Sequence, residues 1–107
     1  VDGEVAVAAA FTVQTAVCAS SEAMEWLLQN EIASYAAELQ AAEFYQDMDF
    51  THPSAIVMGT EAEGLSDFWL QNVEKRIKIP MRGKIDSLNV SVSTAILTFE
   101  AMRQRGF

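Results

Sequence analysis

No lysine or arginine precedes Lys75 in this chain of 107 residues, and cysteine, histidine and proline are scarce. The single cysteine, Cys18, excludes an internal disulfide and a cysteine-rich zinc site, and it points to a reducing, cytoplasmic compartment. Two prolines and five glycines in a chain that is 50% hydrophobic are too few for a disordered or collagen-like segment. No apolar run reaches the ~20 residues that a membrane-spanning helix needs. The opening Val1-Asp2-Gly3-Glu4 lacks the basic start and apolar core of a signal peptide. It also lacks Met, and residues 1–107 read as one partial domain of a longer protein.

Charge is divided along the chain. Thirteen acids and no base lie before Lys75, while Lys75, Arg76, Lys78, Arg82, Lys84, Arg103 and Arg105 face only Asp86 and Glu100 after it. Such asymmetry fits a basic strip that meets a phosphate backbone, or one that balances acids elsewhere in the fold or in a partner subunit.

Hydrophobic spacing predicts alternating strands and helices. Residues 11–18 alternate and are rich in β-branched side chains, which predicts a strand. Ser20, Ser21 and Glu22 supply an N-cap and acidic first turn for a helix to Asn30, with Met24, Leu27 and Leu28 on one face. Residues 32–39 form a second strand candidate, although their alanines also permit helix. Residues 40–53 show no clear period. Residues 54–58, closed by Gly59, suit a strand buried on both faces. Ser66 caps a short helix over 67–74, with Leu65 and Leu70 as a hydrophobic staple. Residues 76–79 alternate and stop at Pro80. Asp86 or Ser87 opens a long last helix, on which Leu88, Val92, Ala95, Ile96, Phe99 and Met102 recur at three- and four-residue spacing. This order implies an α/β fold, a mostly parallel sheet with helices on both faces.

Two loops follow apolar strand ends directly, where parallel sheets place ligands. In Met58-Gly59-Thr60-Glu61-Ala62-Glu63-Gly64-Leu65-Ser66, Gly59 permits close backbone approach. Two glutamates and no terminal Lys-Ser/Thr exclude a phosphate cradle. Glu63 reads as a solvated acid, whereas Glu61 lies nearer the strand end. In the second loop, from Ile79 to Ser91, Ser87 and Asn89 place a hydroxyl and an amide beside unpaired backbone donors, a site for a carboxylate or a ribose hydroxyl, or else ordinary capping. His52 reads as a loop residue, Cys18 as buried and inert, Trp26 and Trp69 as packing, and Phe99 and Met102 as core.

Gly59-Thr-Glu61-Ala-Glu-Gly64-Leu65-Ser66, then Ile79-Pro80-Met81-Arg-Gly83, Asp86-Ser87-Leu88-Asn89-Val90-Ser91-Val92, Glu100 and Arg103-Gln-Arg105 resemble the second and third motifs of the SpoU family. That family comprises the trefoil-knotted, S-adenosylmethionine-dependent RNA ribose 2'-O-methyltransferases of the SPOUT superfamily. The resemblance is specific from about residue 54 onward and looser over 11–53. It implies a deep knot at the C-terminal end and a homodimer through the last helix. It also implies an RNA substrate (tRNA or rRNA) and methyl transfer from a sulfonium to a ribose 2'-hydroxyl without a metal. By motif position, Met58 and Gly59 line the cofactor, Ile79 and Met81 flank its adenine, and Ser87 and Leu88 close over it. Ala37 joins them by analogous position at the second strand's end. Glu61, Ser87 and Asn89 match the polar active-site positions. The family's first motif, an Asn followed by Gly and Arg, is absent. Two other readings therefore stand beside an RNA methyltransferase fragment: a cofactor-binding, dimerising SPOUT piece without catalysis, and a generic acidic α/β interaction module.

Overall fold

The computed structural model describes residues 4–7, 16–59, 64–80 and 89–106. Strand β1 (Glu4–Val7) pairs antiparallel with β2 (Ala16–Ala19), with Val5 opposite Cys18. The described end of the first predicted strand thus pairs with β1 and not in the parallel sheet. A hairpin closes a shorter loop than a crossover, so the local partner wins. Cys18 is half-buried there.

Helix α1 (Ser20–Gln29) starts at a residue expected as its cap. Ala19 occupies the N-cap without a side-chain hydrogen bond, and Ser20 is the first helical residue. The Ser20 hydroxyl instead accepts the indole N–H of Trp69 at 2.9 Å, in a buried contact between α1 and α2 (Asp67–Asn72). Trp69 is packing, as its helical position implies, whereas Trp26 is 57% exposed.

Four parallel strands form the main sheet in the order β4-β6-β3-β5: β3 (Ala33–Ala37), β4 (Glu43–Phe44), β5 (Ser54–Val57) and β6 (Lys75–Lys78). Strand β4 and the 3-10 turn after it (Tyr45–Asp47) lie in the stretch without a readable period. A two-residue strand carries too little alternation to show one. The burial expected for 54–58 is corrected: among the described residues β5 lies at an edge of this sheet, and its residues are half-buried.

Alternation on β3 divides its side chains between two faces. Tyr35 joins Phe50, Ile77 and Leu97 in a buried cluster, with Ala33, Ala37, Ile56, Met58 and Ile79 packed against it. Ser34 and Ala36, on the other face, are also buried. Phe50 comes from the irregular segment after β4, and its ring meets Tyr35 edge-on at 4.8 Å.

Helix α3 (Val90–Gln104) covers the Tyr35 face through Leu97, which is fully buried, and Ala101. Here the phase differs from expectation. Phe99 (67%) and Met102 (40%) are exposed, as is Val92. Nearly every position of the helix is apolar or small, so sequence spacing fits more than one stripe and tertiary packing selects Leu97 and Ala101. Among the described residues no helix is long and apolar enough to cross a membrane.

Candidate functional site

Strands β5, β3 and β6 end side by side. Ala36 pairs with Val57 and Ala37 with Ile77, so Met58 stands level with Ala37 and Ile79 lies two residues farther along. Ala37, Met58 and Ile79 are half-buried and rest on the Tyr35 cluster, forming an apolar edge at the carboxyl ends of parallel strands. Three residues expected to share a site are thus brought together by strand register.

Gly59 follows at this edge for a reason the sequence did not disclose. A Cβ built on Gly59 would overlap the backbone of Gly64 and Leu65, so the loop folds its own main chain onto the glycine. Gly64 is different: its φ is +69°, and open space surrounds it. One glycine serves close approach and the other a left-handed turn. Glu61, Met81, Ser87 and Leu88, the other expected site residues on these loops, lie outside the described residues.

Asn89 is described, and it corrects the expected helix start. It is the N-cap of α3, and its Oδ1 accepts the Val92 N–H at 2.8 Å. The helix therefore opens at Val90 rather than at Asp86 or Ser87. Residues 86, 87 and 89 are all capping types, and a helix start uses one of them, so composition does not choose. Asn89→Ala is expected to lower stability by about 1 kcal/mol, while Asn89→Asp, which keeps the accepting oxygen, holds it near the parent value. Thermal melting of both variants checks this, and an unchanged Tm for the alanine variant would refute the cap.

The basic residues are largely occupied. Lys75 pairs with Glu43 (3.4 Å), Arg76 approaches Glu38 (3.7 Å), and Arg103 grips Glu100 (2.7 Å). Lys78 lies over the Phe44 ring, and Arg105 donates to the carbonyls of Phe50 and His52. Three of the five described cations thus meet acids, as the balancing expectation has it, while Lys78 and Arg105 meet a ring and main-chain carbonyls; Arg82 and Lys84 lie outside the described residues. Exposed pairs of this kind contribute little stability.

Perturbed titration falls away from the strand edge among the described residues. The Tyr35 phenol is pushed up by burial, then by Asp49 and Glu74. Hydrogen bonds from Thr51 hold the Asp49 carboxyl low. Glu100 is held at about 2 by hydrogen bonds from Arg103 and Gln104. His52 sits in a loop beside Asp49, as expected, at 2.9 Å. No three His, Cys, Asp or Glu side chains among the described residues converge as a metal site. An uncharged, apolar strand edge suits a neutral planar ring stacked on side chains, with strand-end amides and carbonyls reading its rim.

Two features escaped the sequence reading: the burial of Phe50, and the bonds that Gln104 and Arg105 make to its backbone. The Arg103-Gln-Arg105 string was visible as a motif, but the main-chain partners of Gln104 and Arg105 lie more than fifty residues away.

Comparison with known proteins gives the family. A tRNA (guanosine(18)-2'-O)-methyltransferase from Thermus thermophilus is 41% identical over 85 residues, covering 78% of this chain and 44% of that protein. A 23S rRNA (guanosine-2'-O-)-methyltransferase RlmB from Bordetella pertussis is 32% identical over 106 residues, covering 88% of this chain and 43% of its own length. The chain thus spans less than half of these relatives. The crystal structure of the SpoU methyltransferase AviRb from Streptomyces viridochromogenes, in complex with the cofactor AdoMet, superimposes with a TM-score of 0.76 at 29% identity, over 82% of this chain and 37% of that one. The profile of the SpoU rRNA methylase family matches residues 3–99, and with the strand-end geometry it settles the assignment: this chain belongs to the SpoU rRNA methylase family, a family of RNA 2'-O-methyltransferases.

Proposed function

We propose that this chain is part of the catalytic domain of an RNA ribose 2'-O-methyltransferase acting on tRNA or rRNA, and that Ala37, Met58, Gly59 and Ile79 form the described part of its S-adenosylmethionine site. The observation that carries the reading is the convergence of these residues at the carboxyl edge of β5, β3 and β6, with Met58 level with Ala37. When bound, S-adenosylmethionine supplies a methyl group on a sulfonium, the carbon–sulfur bond breaking as the ribose 2'-oxygen gains the methyl and loses its proton. The chain's own residues bind and orient. Ile79 presents apolar surface to the adenine, while Met58 and Gly59 line the cofactor, Gly59 letting the main chain come close. Met81, Ser87 and Leu88 complete the cofactor site, and Glu61, Ser87 and the Asn89 amide order the loops and the target ribose. The chain has no arginine before Arg76 to take the base-like role of the family's first motif. None of the residues named here is assigned that role.

The same reading includes the deep SPOUT knot at the C-terminal end, with the last helix tucked under an earlier loop. It includes a homodimer as well, for which the exposed Val92, Phe99 and Met102 on the outer face of α3 are the physical support.

Titration calorimetry of the purified chain with S-adenosylmethionine tests the cofactor site, and saturable binding is expected. Absence of binding heat together with unchanged amide exchange at residues 58, 59 and 79 would overturn it. Sedimentation of the same sample at micromolar concentration is expected to give the mass of two chains, and a strictly monomeric mass would remove the dimer.

A further inference from the structure

Helix α3 is tethered at its far end by a set of bonds that the strand-edge site does not use. The Gln104 side-chain amide donates to the Met48 carbonyl at 2.8 Å and to Glu100 Oε2 at 2.8 Å. Its Oε1 accepts the Phe50 N–H at 2.6 Å. Arg105 adds two more bonds, from Nε to the Phe50 carbonyl at 2.8 Å and from Nη2 to the His52 carbonyl at 2.6 Å. Glu100, itself gripped by Arg103 through Nε (2.7 Å) and Nη2 (2.8 Å), orients the Gln104 amide from one turn earlier.

All four groups held outside the helix are main-chain groups of residues 48–52, an irregular segment whose N–H and C=O groups have no ladder to join. That segment is itself fixed. Phe50 is fully buried against Tyr35, and the Tyr35 hydroxyl donates to the Asp49 carbonyl at 3.2 Å. The clasp therefore joins the helix end to a rigid part of the core.

Among the described residues of the single chain, Leu97, near the middle of α3, is its fully buried residue, Ala101 packs beside it, and the outer face is exposed. From Leu97 to Gln104 is about 10 Å along the axis and from Leu97 back to Asn89 about 12 Å, at ~1.5 Å per residue. For a helix seated on the core through Leu97 and Ala101, the clasp is a further attachment that fixes its direction. Displacement at the clasp would swing the Asn89 end by a similar distance the opposite way.

We propose that Gln104 and Arg105 are positioning residues: by pinning the C-terminal end of α3 to the backbone of residues 48–52, they set the helix direction and so the placement of Asn89 against the strand-end site. The inference rests on reading that edge as the cofactor site, but the tilt of the helix is measurable without cofactor. Repositioning a rigid element from a distance changes affinity by about tenfold.

The test uses Gln104→Ala and Arg105→Ala in the whole chain, with Arg105→Lys as the conservative variant. Two quantities are read: S-adenosylmethionine affinity, and hydrogen exchange at the first-turn amides of α3, Val92 and Ser93, which lie about 16 to 18 Å from Gln104 along the helix. Both alanine variants should lose affinity by about tenfold and exchange faster at Val92 and Ser93. Arg105→Lys, which can still reach one carbonyl, should fall between parent and alanine. Affinity within twofold of the parent, with faster exchange confined to residues 48–52 and the last turn, would overturn the proposal and leave the clasp a local fastening. Should the parent bind no cofactor, the site reading fails alone, and exchange at Val92 and Ser93 still decides the clasp. Should Gln104→Ala not fold, the exposed Arg105 carries the test.

Discussion

Gly59→Val is expected to abolish S-adenosylmethionine binding, and Gly59→Ala to come close to doing the same. From sequence, valine fails because it would fill the cofactor's space and resist glycine-like backbone geometry. In the structure the first obstacle is nearer: any Cβ at Gly59 meets the main chain of Gly64 and Leu65, which cannot turn aside as a side-chain tip would. The loop must open, and the strand-end site opens with it. Gly64→Ala is the matched control. Its space is open, and its cost is the left-handed φ of +69°, about 1–2 kcal/mol. That variant should melt earlier yet bind at saturating cofactor. Calorimetry on the three variants checks the pattern, and parent-like binding by Gly59→Ala would show that this loop is not part of the site.

Phe50→Ala is expected to be the most destabilising change of a side chain outside the site. Phe50 is fully buried, and truncating such a ring costs about 3–5 kcal/mol, with roughly 0.5–1.5 more for the edge-on pair with Tyr35. Against the ~5–15 kcal/mol of a typical domain, that approaches unfolding. Phe99→Ala provides the contrast. At 67% exposed, it should leave the stability of the single chain nearly unchanged and, on the dimer reading, reduce the mass in solution. Urea midpoints for both variants test the assignment, and equal shifts would mean that α3 packs in the other phase.

The two phenylalanines also show how far spacing carries. Phe99 lies on a helix whose apolar positions recur regularly, and regularity suggested the core. Phe50 lies where nothing recurs, and it is fully enclosed. Periodicity records which residues share a face of one element, and burial depends on what the other elements bring to that face. Irregular segments reach the core by their path through space, which leaves no period behind.

Local patterns determined a great deal here. The strand ends at Gly59 and Pro80, the long last helix and the two loop motifs are statements about neighbours in the chain, and they were enough to indicate the family and to nominate Met58, Gly59 and Ile79. Tertiary structure alone decided that β2 leaves the parallel sheet for a hairpin and that β4 joins it. It also decided that Asn89 caps α3, that Gly59 is required by its own loop, and that Gln104 and Arg105 reach back to residues 48–52. Strand order, cap choice and side-chain clasps are selected among near-equal local options by partners tens of residues away. Their energies appear when the chain is folded, so no window of sequence contains them.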